Sequence, residues 1–351
     1  MPRAWGSIFI ITTFVVLVLY VGNSSSAQSL VSPCSASDLL SDPDMQSIPM
    51  TDELCHRASE RTNMTCTSRA GSAIPRVYDI VICNDELDLL EIRLHELKDV
   101  VDFFIIVESA ETFSNKKKPL HFQENKARFR YFEDKIIHIV LNELMGDSAW
   151  DREKFQRDAM FARGLQGQDL RKGDILMTSD VDEIPRAWVI QAMKFCEGFY
   201  NRPVKLELAL FYYSYLNRAH TKWPVNMAIA LESSDVIPSP YSLRTVDSED
   251  VIYFEDAGWH CSYCFSDLKH FVSKIQSFSH TEFDDPKYYS QENIVNSIQN
   301  GNSFLHHVPD DFFYPVHPDD ADLPQLVKAY PESFHYMLNR SGPTAGLSDL
   351  V

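Results

Sequence analysis

Short apolar runs alternate with amphipathic stretches from about residue 76 onward. Residues 77–83 form the first β-rich run, and the leucines that follow it recur at helical spacing: Leu87, Leu90, Leu94 and Leu97. Later apolar runs predict strands at residues 103–107, 136–141 and 174–179, and helical patterns lie at residues 151–164 and 186–197. Because near-continuous apolar strands alternate with helices, the pattern predicts an α/β fold with a mostly parallel, mixed sheet flanked by helices.

The first 27 residues differ from the rest of the chain. Arg3 precedes an almost uninterrupted apolar run at residues 8–21, which is short for a full membrane span. The run fits an uncleaved signal anchor with its Arg3 end in the cytosol, or a cleaved signal peptide with the small residues Ser25 and Ala27 before the cut. Both interpretations send the remaining chain into the secretory pathway. The anchor predicts a single-pass type II protein of the Golgi membrane with a luminal domain, and cleavage would give a secreted protein.

The pattern divides the chain into four regions. Residues 1–27 are predicted to be the signal anchor or signal peptide. Residues 28–75 lack sustained periodicity and are rich in Ser, Thr, Pro and Asp, so they are predicted to be a stem region. Residues 76–340 are predicted to form the folded domain, and residues 341–351 a frayed C-terminal tail.

The cysteines agree with an oxidising compartment. The sequence has seven, so pairing leaves at least one free or in an intermolecular bond. Candidates to cross-link the stem are Cys34, Cys55 and Cys66. Cys261 and Cys264 form a Cys-x-x-Cys pair without the second pair typical of zinc sites. A structural disulfide, with Cys196 as a candidate partner, is therefore favoured there.

The overall charge restricts the partners. The formal net charge is −18, and only the lysines at residues 116–118 resemble a basic patch, so we expect no nucleic-acid partner. The mixture of charges with 44% apolar residues argues against wholesale disorder. A small nucleotide bound through a metal remains compatible with an acidic surface.

An acidic motif with the sequence Ser-Asp-Val-Asp-Glu-Ile-Pro, residues 179–185, closes the fourth predicted strand. Alternate residues of a strand point the same way, so we expect Asp180 and Asp182 to share one space and Val181 to enter the core. The carboxylates of Asp180, Asp182 and Glu183 would repel one another without a cation, and hard oxygen ligands suit Mg²⁺ or Mn²⁺. Such a metal would neutralise the charge on a departing nucleoside diphosphate. An acidic turn that caps the next helix is the alternative; the buried strand and the secretory context favour the metal site.

Ligands of parallel α/β sheets bind beyond the carboxyl ends of the strands. The polar residues that follow the predicted strands are therefore candidates for binding: Asn84, Asp85, Glu86, Glu108, Ser109, Asp180, Asp182 and Glu183.

Several segments, in the same order, resemble glycosyltransferase family 17. The segments that carry the resemblance are residues 78–79, 86–94, 104–109, 112–114, 118–120, 156–159, 180–185, 258–262, 274–275 and 279–280. The resemblance covers about residues 76–340 and implies that this region is a catalytic domain with a GT-A-like fold. It further implies a UDP-GlcNAc donor, a divalent metal, inversion at the anomeric carbon and a mannose of a glycoprotein N-glycan as the acceptor.

The resemblance also implies roles for individual residues. Those expected near the nucleotide are Asn84, Glu86, Glu108 and Ser109, and those expected in the donor pocket are Arg157, Asp158 and Asp180. Asp180, Asp182 and Glu183 match the metal and diphosphate motif, and His280 is the favoured histidine to complete the metal shell. Arg157 can pair with phosphate, or it can form an ordinary salt bridge within its helix.

Inversion in one displacement needs a base for the acceptor hydroxyl. Asp256 and Glu255, which precede residues 258–260, are the first choice, and the alternatives are Glu282, Asp284 and Asp285. Trp223 and Trp259 are the candidate platforms for acceptor sugars, because aromatic rings stack on sugar faces.

Two other functions remain open at this level. A luminal carbohydrate-binding protein would keep the fold and lack turnover, although the complete acidic motif argues against it. In a secreted hydrolase, paired carboxylates must flank the scissile bond, and two Asp residues on one strand with a single residue between them do not suit that geometry.

Overall fold

The computed structural model describes residues 51–69, 73–234 and 236–350. The strands are β1 Val77–Cys83, β2 Phe103–Ser109, β3 Ile136–Leu141, β4 Ile175–Asp180, β5 Glu183–Pro185, β6 Pro203–Tyr212, β7 Ser214–Ala230, β8 Ile252–Ser262 and β9 Phe313–Pro315. The α-helices are α1 Thr51–Glu60, α2 Leu87–Leu97, α3 His121–Glu124, α4 Ala149–Gly164, α5 Ala187–Phe195, α6 Pro240–Thr245, α7 Leu268–Ser277, α8 Pro286–Tyr289, α9 Gln291–Asn300 and α10 Gln325–Ala329. Short 3-10 helices span Lys126–Phe132, Thr281–Phe283, Pro318–Asp320, His335–Met337 and Ser348–Leu350.

Within the described ranges, these strands form one sheet in the order β3-β2-β1-β4-β7-β6-β8-β5, and β9 pairs with β7. The first four strands are parallel to one another, and β6 is parallel to β8. The pairs β4–β7, β6–β7 and β5–β8 are antiparallel. A mixed sheet flanked by helices confirms the predicted α/β class. The predicted parallel character belongs to the N-terminal half of the sheet.

The parallel strands are apolar throughout because both of their faces are covered. In β1, Val77 and Val81 belong to a core cluster with residues of α1, α2 and α5. Tyr78 and Ile80 point to the opposite face and join a cluster with residues of α4 and α6. The carboxyl ends of β1 and β4 lie side by side between these two layers.

Part of the region assigned to a stem is packed on the domain. Helix α1 contacts α5, and a disulfide joins Cys55 to Cys196 at the end of α5. The predicted structural disulfide at the Cys-x-x-Cys pair is confirmed, because Cys261 and Cys264 are bonded to each other. The candidate partner Cys196 is wrong, since it is bonded to Cys55. Cys66 is a buried free thiol, whereas Cys34 lies outside the described residues.

The prediction of a frayed C-terminal end is wrong for residues 341–350. Ala345 and Leu347 are fully buried against the cluster that contains α7 and α9. The Asp349 carboxylate accepts hydrogen bonds from the backbone N–H groups of Leu268 and Lys269, at 2.8 and 3.1 Å, at the start of α7. These contacts fasten the end of the chain to a helix that reaches the cavity described below.

No helix within the described ranges is long and apolar enough to cross a membrane. The predicted signal anchor or signal peptide, residues 1–27, lies outside those ranges.

Candidate active site

A cavity of about 720 Å³ opens at the carboxyl ends of β1 and β4. One part of its wall carries charged side chains from β4, α4, α6 and α7. Another part is rich in aromatic side chains and comes mainly from residues 278–283 and 305–313. The acidic motif lies on the charged side, as the position of the motif at a strand end predicts.

Sheet pairing fixes the backbone of the motif. Asp180 is the last residue of β4, and Glu183 begins β5, where it pairs with His260 of β8. Val181 belongs to the hydrophobic core, as expected. Gly258 of β8 permits the close approach of β5, because a Cβ atom at residue 258 would lie 2.2 Å from the carbonyl oxygen of Ile184.

Two arginines neutralise Asp180 and Glu183. Arg157 of α4 lies 2.8 Å from Asp180 Oδ1, and Arg244 of α6 lies 3.1 Å from Asp180 Oδ2. Arg244 also binds both carboxylate oxygens of Glu183, at 2.7 and 2.8 Å. The indole N–H of Trp223 donates to Glu183 Oε1 at 2.9 Å. Burial alone would raise the pKa of Glu183, but Arg244 lowers it to about 2.

A lysine of α7, Lys274, neutralises the third carboxylate of the motif. Lys274 Nζ lies 2.7 Å from Asp182 Oδ2 and 3.3 Å from Glu86 Oε1. Burial opposes the charged form of Asp182, yet Lys274 and the nearby His260 hold the pKa of Asp182 well below its usual range. Burial raises the pKa of Glu86 despite the attraction of Lys274. The charged wall is therefore a network of buried ion pairs.

The described arrangement does not fit a preformed metal site. Within the described ranges, no set of three His, Cys, Asp or Glu side chains is placed to hold one ion. Each carboxylate of the motif is instead bound by a cationic side chain, and His280 pairs with Glu282 at 2.7 Å. A divalent cation would have to displace at least one of these cationic side chains.

Other candidate residues do line the cavity. Asn84 and Glu86 lie on its wall beside Cys83. The amide oxygen of Asn84 is buried and has no hydrogen-bond partner among the described residues. Trp223 and His280 also line the cavity, and His280 packs edge-to-face on Trp150 at a centroid distance of 4.7 Å.

Three residues expected at the donor pocket lie elsewhere. The Glu108 carboxylate accepts hydrogen bonds from the backbone N–H groups of Phe122 and Gln123, at 2.7 and 3.2 Å, and so fixes the start of α3. Ser109 Oγ accepts from the N–H of Glu111, and Asp158 pairs with Lys154 on the surface of α4.

Strand β2 extends through Ser109, and the cavity wall comes from the residues after it. Glu111, Thr112 and Phe113 line the cavity in place of Glu108 and Ser109. The sequence interpretation took the end of the apolar run as the end of the strand.

The first choice of base does not reach the cavity. Asp256 pairs with Arg186 at 3.1 Å, and Glu255 is exposed away from the cavity. The later part of β8 enters the site, where His260 and Ser262 line the cavity. Asp256 lies four residues before His260, about 13 Å along an extended strand.

The proposed acceptor platform at Trp259 is buried. Its side chain is 3% exposed and packs in a separate core cluster, with the Arg186 guanidinium 4.2 Å from the ring centroid. Adjacent strand residues point to opposite faces, so the entry of His260 into the cavity turns Trp259 away from it. Gly258 serves the packing of β5 on β8 and not the approach of a sugar.

Sequence reasoning missed several cavity residues. Arg244 comes from a short helix in a region without a recognisable motif, and Trp150 stands just before the helix pattern at residues 151–164. Lys274 lies in a segment that carried the family resemblance, although no role was assigned to it. The resemblance of residues 274–275 to the family is the sequence feature that could have identified Lys274 as a site residue.

Comparisons with known proteins identify the family and several relatives of the chain. The sequence model of a family described as Glycosyltransferase family 17 matches residues 7–338. Three curated relatives, from Homo sapiens, Rattus norvegicus and Mus musculus, are each named beta-1,4-mannosyl-glycoprotein 4-beta-N-acetylglucosaminyltransferase. The chain is 25% identical to the human protein over an alignment of 223 residues, and the match covers 54% of this chain and 41% of the relative. The values for the rat and mouse proteins are 25% identity and 40% of the relative, so the chain spans about two fifths of the length of these proteins.

Proposed function

The chain belongs to glycosyltransferase family 17, and on that premise we propose that it transfers N-acetylglucosamine from UDP-GlcNAc to a mannose of an N-glycan, with inversion at the anomeric carbon. The names of the relatives support this donor sugar and acceptor class. The observation that carries the proposal is the convergence of Arg157, Arg244 and Lys274 on one acidic motif in a large cavity.

The three cationic side chains, Arg157, Arg244 and Lys274, suit the binding of a nucleoside diphosphate. Arg157 Nη1 is buried and has no hydrogen-bond partner among the described residues, so one donor group is available to a phosphate oxygen. The carboxylates hold the three cationic side chains in place. Because a diphosphate is more negative after its bond to the sugar breaks, these cations stabilise the transition state more than the bound donor.

The uridine is proposed to lie beside the ends of β1 and β2. Asn84, Thr112 and Gln156 line this part of the cavity and offer polar atoms, and the carboxyl edge of a parallel sheet is where nucleotides bind in such folds. The unpartnered amide oxygen of Asn84 is an acceptor for a donor group of the ligand. This arrangement supports the GT-A-like assignment.

The acceptor is proposed to bind beside two exposed tryptophans of the cavity wall. The side chains of Trp150 and Trp223 are 51% and 39% exposed, and both line the cavity. Exposed aromatic rings beside a charged centre suit a sugar that stacks one face and hydrogen-bonds with its hydroxyl groups. Residues of the domain alone therefore supply surfaces for both substrates.

Glu282 is the proposed base. It lines the cavity, and no Lys or Arg of the described chain lies within ion-pair distance of its carboxylate, in contrast to the carboxylates of the acidic motif. Glu282→Gln should lower kcat by about 10²–10⁴-fold with UDP affinity retained. Asp284→Asn is the matched control, because Asp284 pairs with Lys116. A wild-type kcat for the Glu282→Gln variant would show that Glu282 is not the base.

Metal dependence remains a proposal. The family resemblance implies Mn²⁺ or Mg²⁺ at Asp180 and Asp182, where a metal would supply charge neutralisation for the leaving diphosphate. Because cationic side chains already bind these carboxylates, we expect Mn²⁺ to bind tightly only together with UDP. Calorimetric titration of Mn²⁺ with and without UDP tests this expectation. Tight binding to the free protein would contradict it.

A luminal Golgi location is also proposed. The disulfides Cys55–Cys196 and Cys261–Cys264 suit an oxidising compartment. Sequencing the N-terminus of the protein from membrane and medium fractions would distinguish a retained anchor from a cleaved signal.

A donor screen tests the proposed function. The purified protein is incubated with Mn²⁺, an N-glycan acceptor and each of several UDP- and GDP-sugars, and nucleotide release is measured with and without acceptor. We expect acceptor-dependent release from UDP-GlcNAc. Binding of glycans with no release from any donor would favour the carbohydrate-binding alternative.

A further inference from the structure

A buried guanidinium lies against the backbone of the acidic motif. Arg93 of α2 is 0% exposed, and Asp79 of β1 is 1% exposed. Arg93 donates to both carboxylate oxygens of Asp79, from Nε at 2.8 Å and from Nη2 at 2.6 Å. This bidentate pair fixes the plane of the guanidinium.

The remaining donors of Arg93 reach the motif itself. Nη1 donates to the carbonyl oxygen of Glu183 at 2.5 Å and to that of Asp180 at 3.4 Å. Nη2 donates to the hydroxyl of Ser179 at 2.8 Å. A guanidinium has five N–H groups, so two bind Asp79 and three bind the chain segment that carries the acidic side chains.

We propose that Arg93 is a positioning residue for sugar transfer, which fixes both ends of the turn between Asp180 and Glu183 so that their carboxylates hold the diphosphate-binding cations. The inference rests on the proposed function. Arg93 fixes the turn through its backbone, whereas Arg157, Arg244 and Lys274 bind its side chains. Lysine cannot replace Arg93, because three rotating N–H donors do not reproduce a planar fork with five.

A second buried arginine, which lies in the 3-10 helix Lys126–Phe132 and binds side chains of α2, offers a matched control. Arg128 is also buried, with its side chain 5% exposed, and it binds Asp88 and Glu91 of α2 at 2.6 and 2.5 Å. Among the described residues, the hydrogen bonds and ion pairs of Arg128 go to Asp88 and Glu91 and not to the acidic motif. Arg93→Lys and Arg128→Lys therefore make the same chemical change in two buried ion pairs, and only the first touches the motif.

The experiment compares wild type and both variants for melting temperature, UDP affinity and steady-state transfer, at a temperature where circular dichroism shows each to be folded. We expect Arg93→Lys to lower kcat/KM for the donor by about 10²-fold, since small misplacements of binding groups have effects of that size. The KM for the acceptor should stay unchanged. Arg128→Lys should lose thermal stability while its donor kinetics remain at the wild-type value.

Equal kinetics in the two folded variants would overturn the proposal and leave Arg93 a role in stability alone. If Arg93→Lys does not fold, Ser179→Ala decides. This variant removes one of the three hydrogen bonds from Arg93 to the motif and keeps the pair of Arg93 with Asp79. A folded Ser179→Ala protein with wild-type donor kinetics would overturn the proposal. A loss of kcat/KM for the donor with an unchanged KM for the acceptor would support it. A wild-type protein that neither binds UDP nor transfers sugar would overturn the proposed function together with this inference.

Discussion

Replacing Lys274 by Met removes the cation that neutralises two buried carboxylates. The ammonium lies 2.7 Å from Asp182 and 3.3 Å from Glu86, and the side chains of these two residues are 5% and 9% exposed. Loss of one partner of a buried ion pair typically costs 3–5 kcal/mol, because the other charge is left uncompensated. The Lys274 side chain is still 18% exposed, so we expect a loss of about 3 kcal/mol in the free energy of unfolding.

The pH dependence of that loss follows from the direction of the Asp182 shift. In the wild type the pKa of Asp182 is held below its usual value of 3.8, so its stabilising contribution is present above that value and is lost as the pH falls. Without Lys274, burial would raise the pKa of Asp182. The difference in stability between the variant and wild type should therefore be full near pH 7 and shrink as the pH falls toward and below 3.8, where Asp182 becomes protonated in the unfolded chain.

Urea unfolding followed by circular dichroism at several pH values measures the difference. Lys269→Met is the matched control, because Lys269 lies on the same helix and is exposed. The Lys274 variant should also gain affinity for Mn²⁺ in the absence of UDP, since two carboxylates lose their competing cation. A variant as stable as the Lys269 control at pH 7, with no gain in Mn²⁺ affinity, would refute this reasoning.

Three further perturbations test other parts of the structure. Cys196→Ser breaks the bond that ties α1 to α5 and should cost about 2–5 kcal/mol of stability in urea unfolding, with kcat preserved at low temperature; an unchanged unfolding midpoint would contradict this. His270→Gln removes the pair with Asp85, and the 2.9 Å contact between these residues raises the pKa of His270 against the effect of burial. The loss of stability in this variant should be largest below the usual histidine pKa of 6.5 and should vanish as the pH rises through the raised pKa. A loss that does not depend on pH would argue against a charged pair. Deleting residues 341–351 removes the Asp349 contacts at the start of α7 and should lower both the melting temperature and UDP affinity, and wild-type values for both would show that this contact is dispensable.

Local pattern was sufficient to predict strands of the parallel part of the sheet and the position of the acidic motif. Strand β1 spans residues 77–83 and β3 spans residues 136–141, as predicted, because continuous apolar runs between polar residues define buried parallel strands. The acidic motif was placed correctly at the end of β4 for the same reason. These features depend on the sequence within a few residues of each strand.

The partners of the motif depend on distant parts of the chain. Arg244 and Lys274 reach Glu183 and Asp182 across 61 and 92 residues, and no local periodicity reports such contacts. The sequence therefore suggested three carboxylates that need a metal, whereas the structure shows three carboxylates paired with cationic side chains. The buried carboxylates need positive charge nearby, and tertiary packing supplies it from arginine and lysine side chains in place of a metal ion.

The base was assigned by proximity in sequence to residues 258–260. The course of strand β8 explains why this assignment fails. His260 enters the cavity, whereas Asp256 lies four residues earlier on the same strand and pairs with Arg186. Trp259 points to the other face by the alternation of side chains along a strand. Knowing which face of β8 meets the cavity would have required its pairing with β5 and β6, which the sequence alone does not give.

The central claim is best tested by the product of the reaction. The purified protein is incubated with UDP-GlcNAc, Mn²⁺ and a mannose-terminated N-glycan, and the glycan is then analysed by mass spectrometry and by NMR of the new anomeric proton. We expect a glycan heavier by one N-acetylhexosamine, with a β linkage to mannose, and loss of this product in Arg157→Gln but not in Arg163→Gln, an exposed arginine on the same helix. An unmodified glycan with the folded wild-type protein, or the same yield of product from Arg157→Gln, would contradict the account.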